Sequence, residues 1–281
     1  MENLENINHL IVPDVHGRTF WKEPVKEVLE KTNAKIVFLG DYLDPYGYEG
    51  ITSKDAIVVF KEIIELKKLY KDRIILLIGN HDVCYIGETE SGGRYDRWNA
   101  PEIRDLFINN WDLFEFIYFD EVAGKKYLFS HAGFNPEWLD IRREFLGIKD
   151  DDEPSLDFVL GYDWKLNFFK DQMRLVSYLE DVSFWRWGPA RASSFVWCDV
   201  NEHLFEHKHL EGCVQIFGHT QQAKVPVREK DNLYCLDVRR CFILDNDGVV
   251  RELDGRELED NSDAIMEKER KNAENAMAFL F

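Results

Sequence analysis

The sequence predicts an α/β fold that begins with a mostly parallel sheet. One pattern carries most of this. Five short apolar runs each stop at a Gly, Asp, Asn or His: Ile11-Val12-Pro13-Asp14-Val15-His16-Gly17, Ile36-Val37-Phe38-Leu39-Gly40-Asp41, Ile74 to Ile78 followed by Gly79-Asn80-His81-Asp82, Tyr127-Leu128-Phe129-Ser130-His131, and Val214-Gln215-Ile216-Phe217-Gly218-His219. Four or five β-formers that end at a turn read as a buried strand. The second observation is that helical periodicity fills the gaps between the first three runs, giving a βαβαβ start whose strands lie parallel. The third is that the end of the chain has hairpin signals instead.

In order, the first run is followed by a helix over Trp21 to Lys31. It carries Val25, Val28 and Leu29 on one face, with Pro24 tolerated in the first turn. After the Ile36–Leu39 strand comes a loop rich in Gly and Tyr, Asp44 to Gly50. Thr52-Ser53-Lys54-Asp55 has the form of a capping box. It opens a long helix to about Tyr70 whose inward stripe is Ala56, Val59, Phe60, Ile63, Leu66 and Leu69. The Ile74–Ile78 strand completes the unit. Residues 83–120 read as a Gly-rich loop (Gly87 to Gly93) and helical apolar stretches through Phe119. Residues 135–211 are aromatic and acidic without a strand signal, and read as a helical insertion between two sheet strands. Leu233–Val238 and Cys241–Leu244 are strand-like and antiparallel in character, and Asn246-Asp247-Gly248 before Val249 is a strong hairpin turn. Residues 256–281 read as a charged helical tail. The expectation is one domain over 1–281 with the insertion inside it.

Side chains just past strand ends in an α/β layer converge on one crevice. Here they are hard oxygen and imidazole donors. Asp14 and His16 share a face because they are two residues apart. A carboxylate with an imidazole suits a borderline divalent ion such as Mn, Fe, Zn or Ni. Asp41 has two oxygens with which to bridge a pair of ions, and Asn80, His131 and His219 offer neutral ligands to the second. Two carboxylates against two divalent ions, with one bridging hydroxide, leave about +1, a charge suited to a phosphate dianion.

These motifs (Asp14-x-His16-Gly17, Gly40-Asp41-x-x-Asp44, Gly79-Asn80-His81-Asp82, His131-Ala132-Gly133 and Gly218-His219-Thr220) resemble, in their order, those of the calcineurin-like metallophosphoesterases. Within that superfamily the chain is similar to the phosphoprotein-phosphatase branch and its bacterial and phage relatives. The resemblance implies a central β-sandwich of mixed sheets flanked by helices. It implies Asp14, His16 and Asp41 on one metal ion, and Asp41, Asn80, His131 and His219 on the other. It implies that His81 protonates the leaving oxygen and that Asp44 orients His81. The implied activity is hydrolysis of phosphomonoesters by in-line attack of a bridging metal hydroxide, serine/threonine-phosphatase-like; the alternative is a nucleotide or dinucleoside polyphosphate phosphohydrolase. A non-catalytic scaffold of the same fold would have lost ligands or His81, and this chain keeps them all.

The chain departs from the branch's pattern after Asp44. Pro45-Tyr46-Gly47 stands where Arg-Gly usually follows, so one phosphate clamp is missing at its usual place. Arg186 and Arg191 are the candidate replacements, and Trp197-Cys198-Asp199 competes with them as a counterpart of the Trp-Ser-Asp motif before the last His. Arg239 or Arg240, after Leu236-Asp237, could also reach the site. Gln221 stands where phosphodiesterase branches carry another ligand His. Asp82 takes the place of a frequent Glu and reads as a supporting residue. The tyrosines Tyr42, Tyr46, Tyr48, Tyr85 and Tyr95 crowd the proposed crevice, to stack on a base or to pack its rim. His203, His207 and His209, with Glu202 and Glu206, read as a solvated helix face.

Composition excludes other classes. A formal net charge of −18 over 281 residues disfavours a non-specific nucleic-acid binder, whose affinity requires Lys and Arg to neutralise phosphates. It does not exclude a phosphorylated substrate, either phosphoprotein or nucleotide, because bound cations reverse the field locally. No apolar run approaches the roughly 20 residues of a membrane span. The N-terminus lacks a signal-peptide pattern. Five scattered cysteines without a CxxC pair point to reduced thiols, and so to a cytoplasmic protein.

Overall fold

A computed structural model describes residue 4 and residues 6–278, apart from 91–93, 150, 171, 207 and 230–231. The chain runs β1 (Ile7–Val12), α1 (Lys22–Lys31), β2 (Lys35–Phe38), α2 (Ser53–Tyr70), β3 (Ile74–Leu77), α3 (Asn80–Ile86), α4 (Ala100–Ile108), β4 (Phe114–Glu115), β5 (Tyr118–Val122) and β6 (Lys125–Phe129). Six helices follow: α5 (Pro136–Ile141), α6 (Arg143–Leu146), α7 (Leu156–Gly161), α8 (Trp164–Lys170), α9 (Gln172–Leu179) and α10 (Val200–Glu206). Then come β7 (Val214–Phe217), β8 (Val227–Glu229), β9 (Leu233–Cys235), β10 (Phe242–Asp245), β11 (Val250–Glu252) and α11 (Ser262–Ala278).

The strands form two mixed sheets, ordered β11-β10-β1-β2-β3-β4 and β5-β6-β7-β9-β8. In the first, β1 to β4 are parallel while β10 and β11 add antiparallel. In the second, β6, β7 and β9 are parallel with antiparallel strands at both edges. The period of two in side-chain direction divides the first sheet's residues between two cores. Ile11, Val37, Leu39, Ile75 and Leu77 face the second sheet's Tyr127, Phe129, Ile216 and Leu236. Leu10, Val12, Ile36, Phe38 and Leu76 face outward onto Val25 and Val28 of α1 and Ala56, Phe60 and Ile63 of α2. Burying each large aliphatic side chain contributes about 1.5–3 kcal/mol. Helix α2 starts where its local sequence directs it: Thr52 Oγ accepts the Asp55 N–H at 3.1 Å, and Asp55 returns the bond to the Thr52 N–H at 3.0 Å.

Three expectations are corrected. Residues 114–115 and 118–122 are strands, not helix, because β4 pairs with β3 and β5 pairs with β6 around the Ala123-Gly124 turn. The strand-like segments at 233–238 and 241–244 are not antiparallel throughout: β9 pairs antiparallel with β8 but parallel with β7. β9 belongs to the second sheet and β10 to the first, where β10 forms the expected hairpin with β11. Helix α10 is not a solvated face, since Glu202 and His203 are fully buried. Glu202 accepts from Ser183 Oγ at 2.6 Å and from the Ser193 N–H at 3.0 Å, while His203 Nε2 lies 3.3 Å from Ala132 O. His207 lies outside the described residues. His209 pairs with Glu229 at 2.8 Å, away from any other acid–imidazole cluster of metal-ligating spacing among the described residues. The start of α11 packs on α10 and β8, with Asn261 bonded to Pro226 O and the Arg228 N–H. No helix among the described residues is long and apolar enough to cross a membrane. All five cysteines are free thiols.

Candidate active site

Each of the five apolar runs is a strand, and each delivers its polar residues to one crevice. β1 leads to Asp14 and His16, β2 to Asp41 and Asp44, β3 to Asn80 and His81, β6 to His131, and β7 to His219. The two sheets are stitched together there: the His219 N–H donates to Asp14 at 2.9 Å, and His131 Nδ1 meets Leu39 O at 2.8 Å. The turns out of β1, β2 and β7 are sharp. His16, Asp41, Asp44 and His219 all have left-handed backbone, with φ of 45°, 53°, 56° and 63°. Non-glycine residues there store strain that the surrounding structure must hold, and such strain clusters at functional sites.

Two glycines make room for the carboxylates. A Cβ on Gly79 would overlap Asp41 Oδ1, and one on Gly218 would overlap Asp14 Oδ1. Asp82 braces the same backbone, accepting the N–H groups of Gly79 and Asp41 at 2.8 Å and of Tyr42 at 3.2 Å. Burial, and then the nearby Asp41 carboxylate, push Asp82 up to about 8.

The donor atoms fall into two groups that share Asp41. His16, Asp41 and His81 form one, and Asp41, His131 and His219 the other, each with ligand atoms within 4.8 Å of one another. The tautomers fit a cation. His16 donates Nδ1–H to Leu43 O at 2.6 Å, which leaves the Nε2 lone pair facing Asp41 Oδ2 at 3.6 Å. His131 donates Nδ1–H to Leu39 O, so its Nε2 lone pair faces Asn80 Oδ1 at 3.0 Å and His219 Nδ1 at 3.2 Å. Electron-pair donors so close together repel unless a positive charge lies between them. Burial lowers His131, but the carboxylates of Asp41 and Asp14 outweigh it and raise the imidazole to about 9, so the field at this point favours positive charge. Burial holds His16 and His219 well below the ordinary histidine value, hence neutral. Neutral imidazole is the form that ligates metal. Asp14 lies in neither group; its carboxylate accepts the His219 N–H at 2.9 and 3.2 Å, which fixes it in the same crevice.

His81 Nδ1 lies 2.6 Å from Asp44 Oδ2. Burial works against its charge, but the carboxylates of Asp41 and Asp44 outweigh it and raise the imidazole above the ordinary value. The other Asp44 oxygen accepts from the buried Tyr85 hydroxyl, whose oxygen in turn accepts the Asp96 N–H at 2.8 Å. Tyr85 stacks on Tyr95 with centroids 4.5 Å apart. Tyr42 belongs to the core, its hydroxyl on Leu77 O. Tyr46 and Tyr48 stand together at the rim, with Tyr48 71% exposed.

Residues 8–223 match the sequence profile of the calcineurin-like phosphoesterases, spanning every strand and loop of this crevice. The chain belongs to this family. It is therefore a metal-dependent phosphoesterase, a hydrolase. In fold it is similar to a point mutant of a cold-active protein tyrosine phosphatase, with 16% identity, 87% of this chain and 77% of that one covered, and a TM-score of 0.50. It is also similar to the cold-active protein tyrosine phosphatase of the psychrophile Shewanella sp. (16% identity, 86% and 76% covered, TM-score 0.46). A third is a protein serine/threonine phosphatase from Saccharomyces cerevisiae with similarity to human phosphatase PP5 (12% identity, 82% and 66% covered, TM-score 0.43). At these identities the likeness concerns the fold alone.

The arginines of this calcineurin-like phosphoesterase sort themselves by position. Arg186 reaches the crevice: it pairs with Asp199 at 3.1 Å and donates to His219 O at 3.2 Å and Thr220 Oγ1 at 3.3 Å. Arg186 and the Trp197-Cys198-Asp199 segment therefore do not compete; the acid of one holds the base of the other. Arg191 is 81% exposed in its side chain and paired with Glu137, and is not brought to the site. Arg240 turns to Glu252 at 2.6 Å. Arg239 pairs with Glu49 at 3.2 Å beside Gln221 and Tyr48. One site-lining residue escaped the sequence reading, Arg94. Arg94 lies over the Tyr46 ring, 3.7 Å from its centroid. Its sequence neighbourhood carries no periodic signal, and only its following Tyr95-Asp96 hints at a site loop.

Proposed function

We propose that this protein hydrolyses phosphomonoesters of alcohols, as a serine/threonine-type phosphatase does, at a two-metal centre. Asp14, His16 and Asp41 would hold the first divalent ion and Asp41, Asn80, His131 and His219 the second, with Mn the first candidate and Fe, Zn or Ni also suited to this mixed carboxylate and imidazole set. When bound, such ions supply Lewis acidity, neutralising phosphate charge and lowering the pKa of water.

The observation that carries the substrate class is the His81–Asp44 pair at 2.6 Å. An alkoxide is a poor leaving group and needs a proton as the P–O bond breaks, whereas a leaving phosphate or nitrophenolate does not. An imidazole whose hold on its proton is strengthened by Asp41 and Asp44 against the effect of burial, with Nε2 turned toward the crevice, is placed to give that proton. The partner of this reading is a phosphoprotein. A nucleotide or dinucleoside polyphosphate is the second reading, supported by the exposed Tyr48 beside Tyr46, a surface on which a base can stack.

The test is leaving-group dependence, with Mn²⁺ present. His81→Asn should slow a phosphoserine peptide by about 10²- to 10⁴-fold and p-nitrophenyl phosphate far less. Wild-type preference for ATP or a dinucleoside tetraphosphate over phosphopeptides, with little effect of the variant, would move the assignment to the second reading.

A further inference from the structure

We infer that Arg94 grips the phosphoryl oxygens of the substrate, replacing the arginine that is missing after Asp44; the inference rests on the phosphomonoesterase reading above. Four observations meet at this side chain. Its Nε donates to the carbonyl oxygen of Asp44 at 2.9 Å, which fixes the plane of the guanidinium. Its face lies on the Tyr46 ring, and Tyr46 is the second residue after Asp44. Its Nη2 edge lies 3.3 Å from His81 Nε2 and 3.5 Å from His16 Nε2, between the proposed proton donor and a proposed metal ligand.

The fourth observation is one of charge. Two other arginines approach the same Tyr46 ring, Arg18 at 5.2 Å and Arg239 at 5.8 Å, and Glu49 pairs with both. Arg186 on the opposite wall is paired with Asp199. Among the described residues, no carboxylate pairs with Arg94. A guanidinium held by a carbonyl and a ring, with its edge against two imidazoles, lacks only an anion. A phosphate dianion presents the planar oxygen pair that a guanidinium fork matches. The Pro45-Tyr46 substitution thus has a use: it gives up an arginine at that position and supplies an aromatic shelf for one that arrives from the loop after α3. Lysine could not take this place, since it has neither a flat face for Tyr46 nor an Nε–H for Asp44 O.

The experiment is calorimetric titration of Mn²⁺-loaded protein with inorganic phosphate, with metal content and melting temperature measured on every sample. Arg94→Ala should weaken phosphate at least 10-fold, and Arg94→Lys should recover only part of that, both with wild-type metal content. Tyr46→Phe should bind phosphate as wild type does, and Tyr46→Ala several-fold more weakly. In turnover of p-nitrophenyl phosphate, KM should rise in Arg94→Ala in step with the phosphate constant. Unchanged phosphate affinity in a folded, metal-replete Arg94→Ala overturns the assignment, and the same result with a large loss in Arg186→Ala transfers the role to Arg186. A metal-loaded wild type that neither binds phosphate nor cleaves any phosphomonoester would instead overturn the reading on which this one rests.

Discussion

Replacing Gly218 by alanine isolates the way backbone makes room for a ligand. The φ of Gly218 lies outside the left-handed region, so alanine meets no backbone strain there. Its Cβ, however, would overlap Asp14 Oδ1 and lie 3.3 Å from Asp14 Cγ. Restoring ordinary contact requires the carboxylate oxygen to move by roughly 1.5 Å, since nonbonded heavy atoms settle near 3.5–4 Å apart. That movement breaks the bonds at 2.9 and 3.2 Å that Asp14 accepts from the His219 N–H. A hydrogen bond to a charged group is worth about 1.5–3 kcal/mol, so the preorganisation lost corresponds to roughly 10- to 150-fold in a dissociation constant. Mn²⁺ titration of metal-free protein by calorimetry, with metal analysis after dialysis, should show that loss in Gly218→Ala. Gly47→Ala, where an added Cβ meets nothing within 4 Å, should bind Mn²⁺ as wild type does. A folded Gly218→Ala that binds Mn²⁺ with wild-type affinity and stoichiometry would refute the reasoning, because Asp14 would then not need to stay where the structure puts it.

Tyr85→Phe removes the hydroxyl that Asp44 accepts; about 10-fold slower turnover of alkyl phosphates with a smaller change for p-nitrophenyl phosphate is expected, while equal losses on both would reduce Tyr85 to a packing residue. Burial holds His9 at about 4, below the ordinary 6.5, despite its contact with Asp120. The unfolded chain therefore takes up that proton first, and stability that is complete above pH 6.5 falls by up to about 3 kcal/mol as pH drops to 4. Urea unfolding should show this slope, and His9→Phe should flatten it; an unchanged slope would mean that His9 does not stay neutral in the fold. Asp120, lowered to about 2 by Lys35 and Tyr118 against the effect of burial, loses its contribution only below that window, between 3.8 and 2. Glu202→Ala orphans Ser183, Ser193 and the Ser193 N–H, at a cost of about 1–3 kcal/mol for each buried group left unpaired; a melting temperature within a degree of wild type would show that the network carries no stability. Arg191→Ala should leave kcat/KM within about twofold, as an exposed ion pair is worth little, and a tenfold loss would mean that Arg191 leaves Glu137 to reach the substrate.

The sequence by itself determined what local chemistry and periodicity can encode. Strand runs that stop at Gly, Asp, Asn or His announced five loops that all open on one crevice, because a buried parallel strand can present polar side chains only beyond its end. Thr52 and Asp55 encoded the start of α2, and Asn246-Asp247-Gly248 the β10–β11 hairpin, since each bond involved spans only a few residues. Tertiary structure decided whatever depends on pairing between distant segments. Two strand-like runs, β9 and β10, were separable in sequence but not assignable to sheets, because strand propensity does not choose a partner. Arg186 and Arg191, five residues apart and alike in composition, were divided by Asp199 on one side and Glu137 on the other. His203 reads as a polar helix residue until the fold buries it against Ala132. Arg94 is fifty residues from Asp44 and forty-eight from Tyr46, with no motif to link them. An isolated guanidinium becomes a candidate anion receptor only when every neighbouring acid is seen to be committed elsewhere, and that depends on long-range contacts alone.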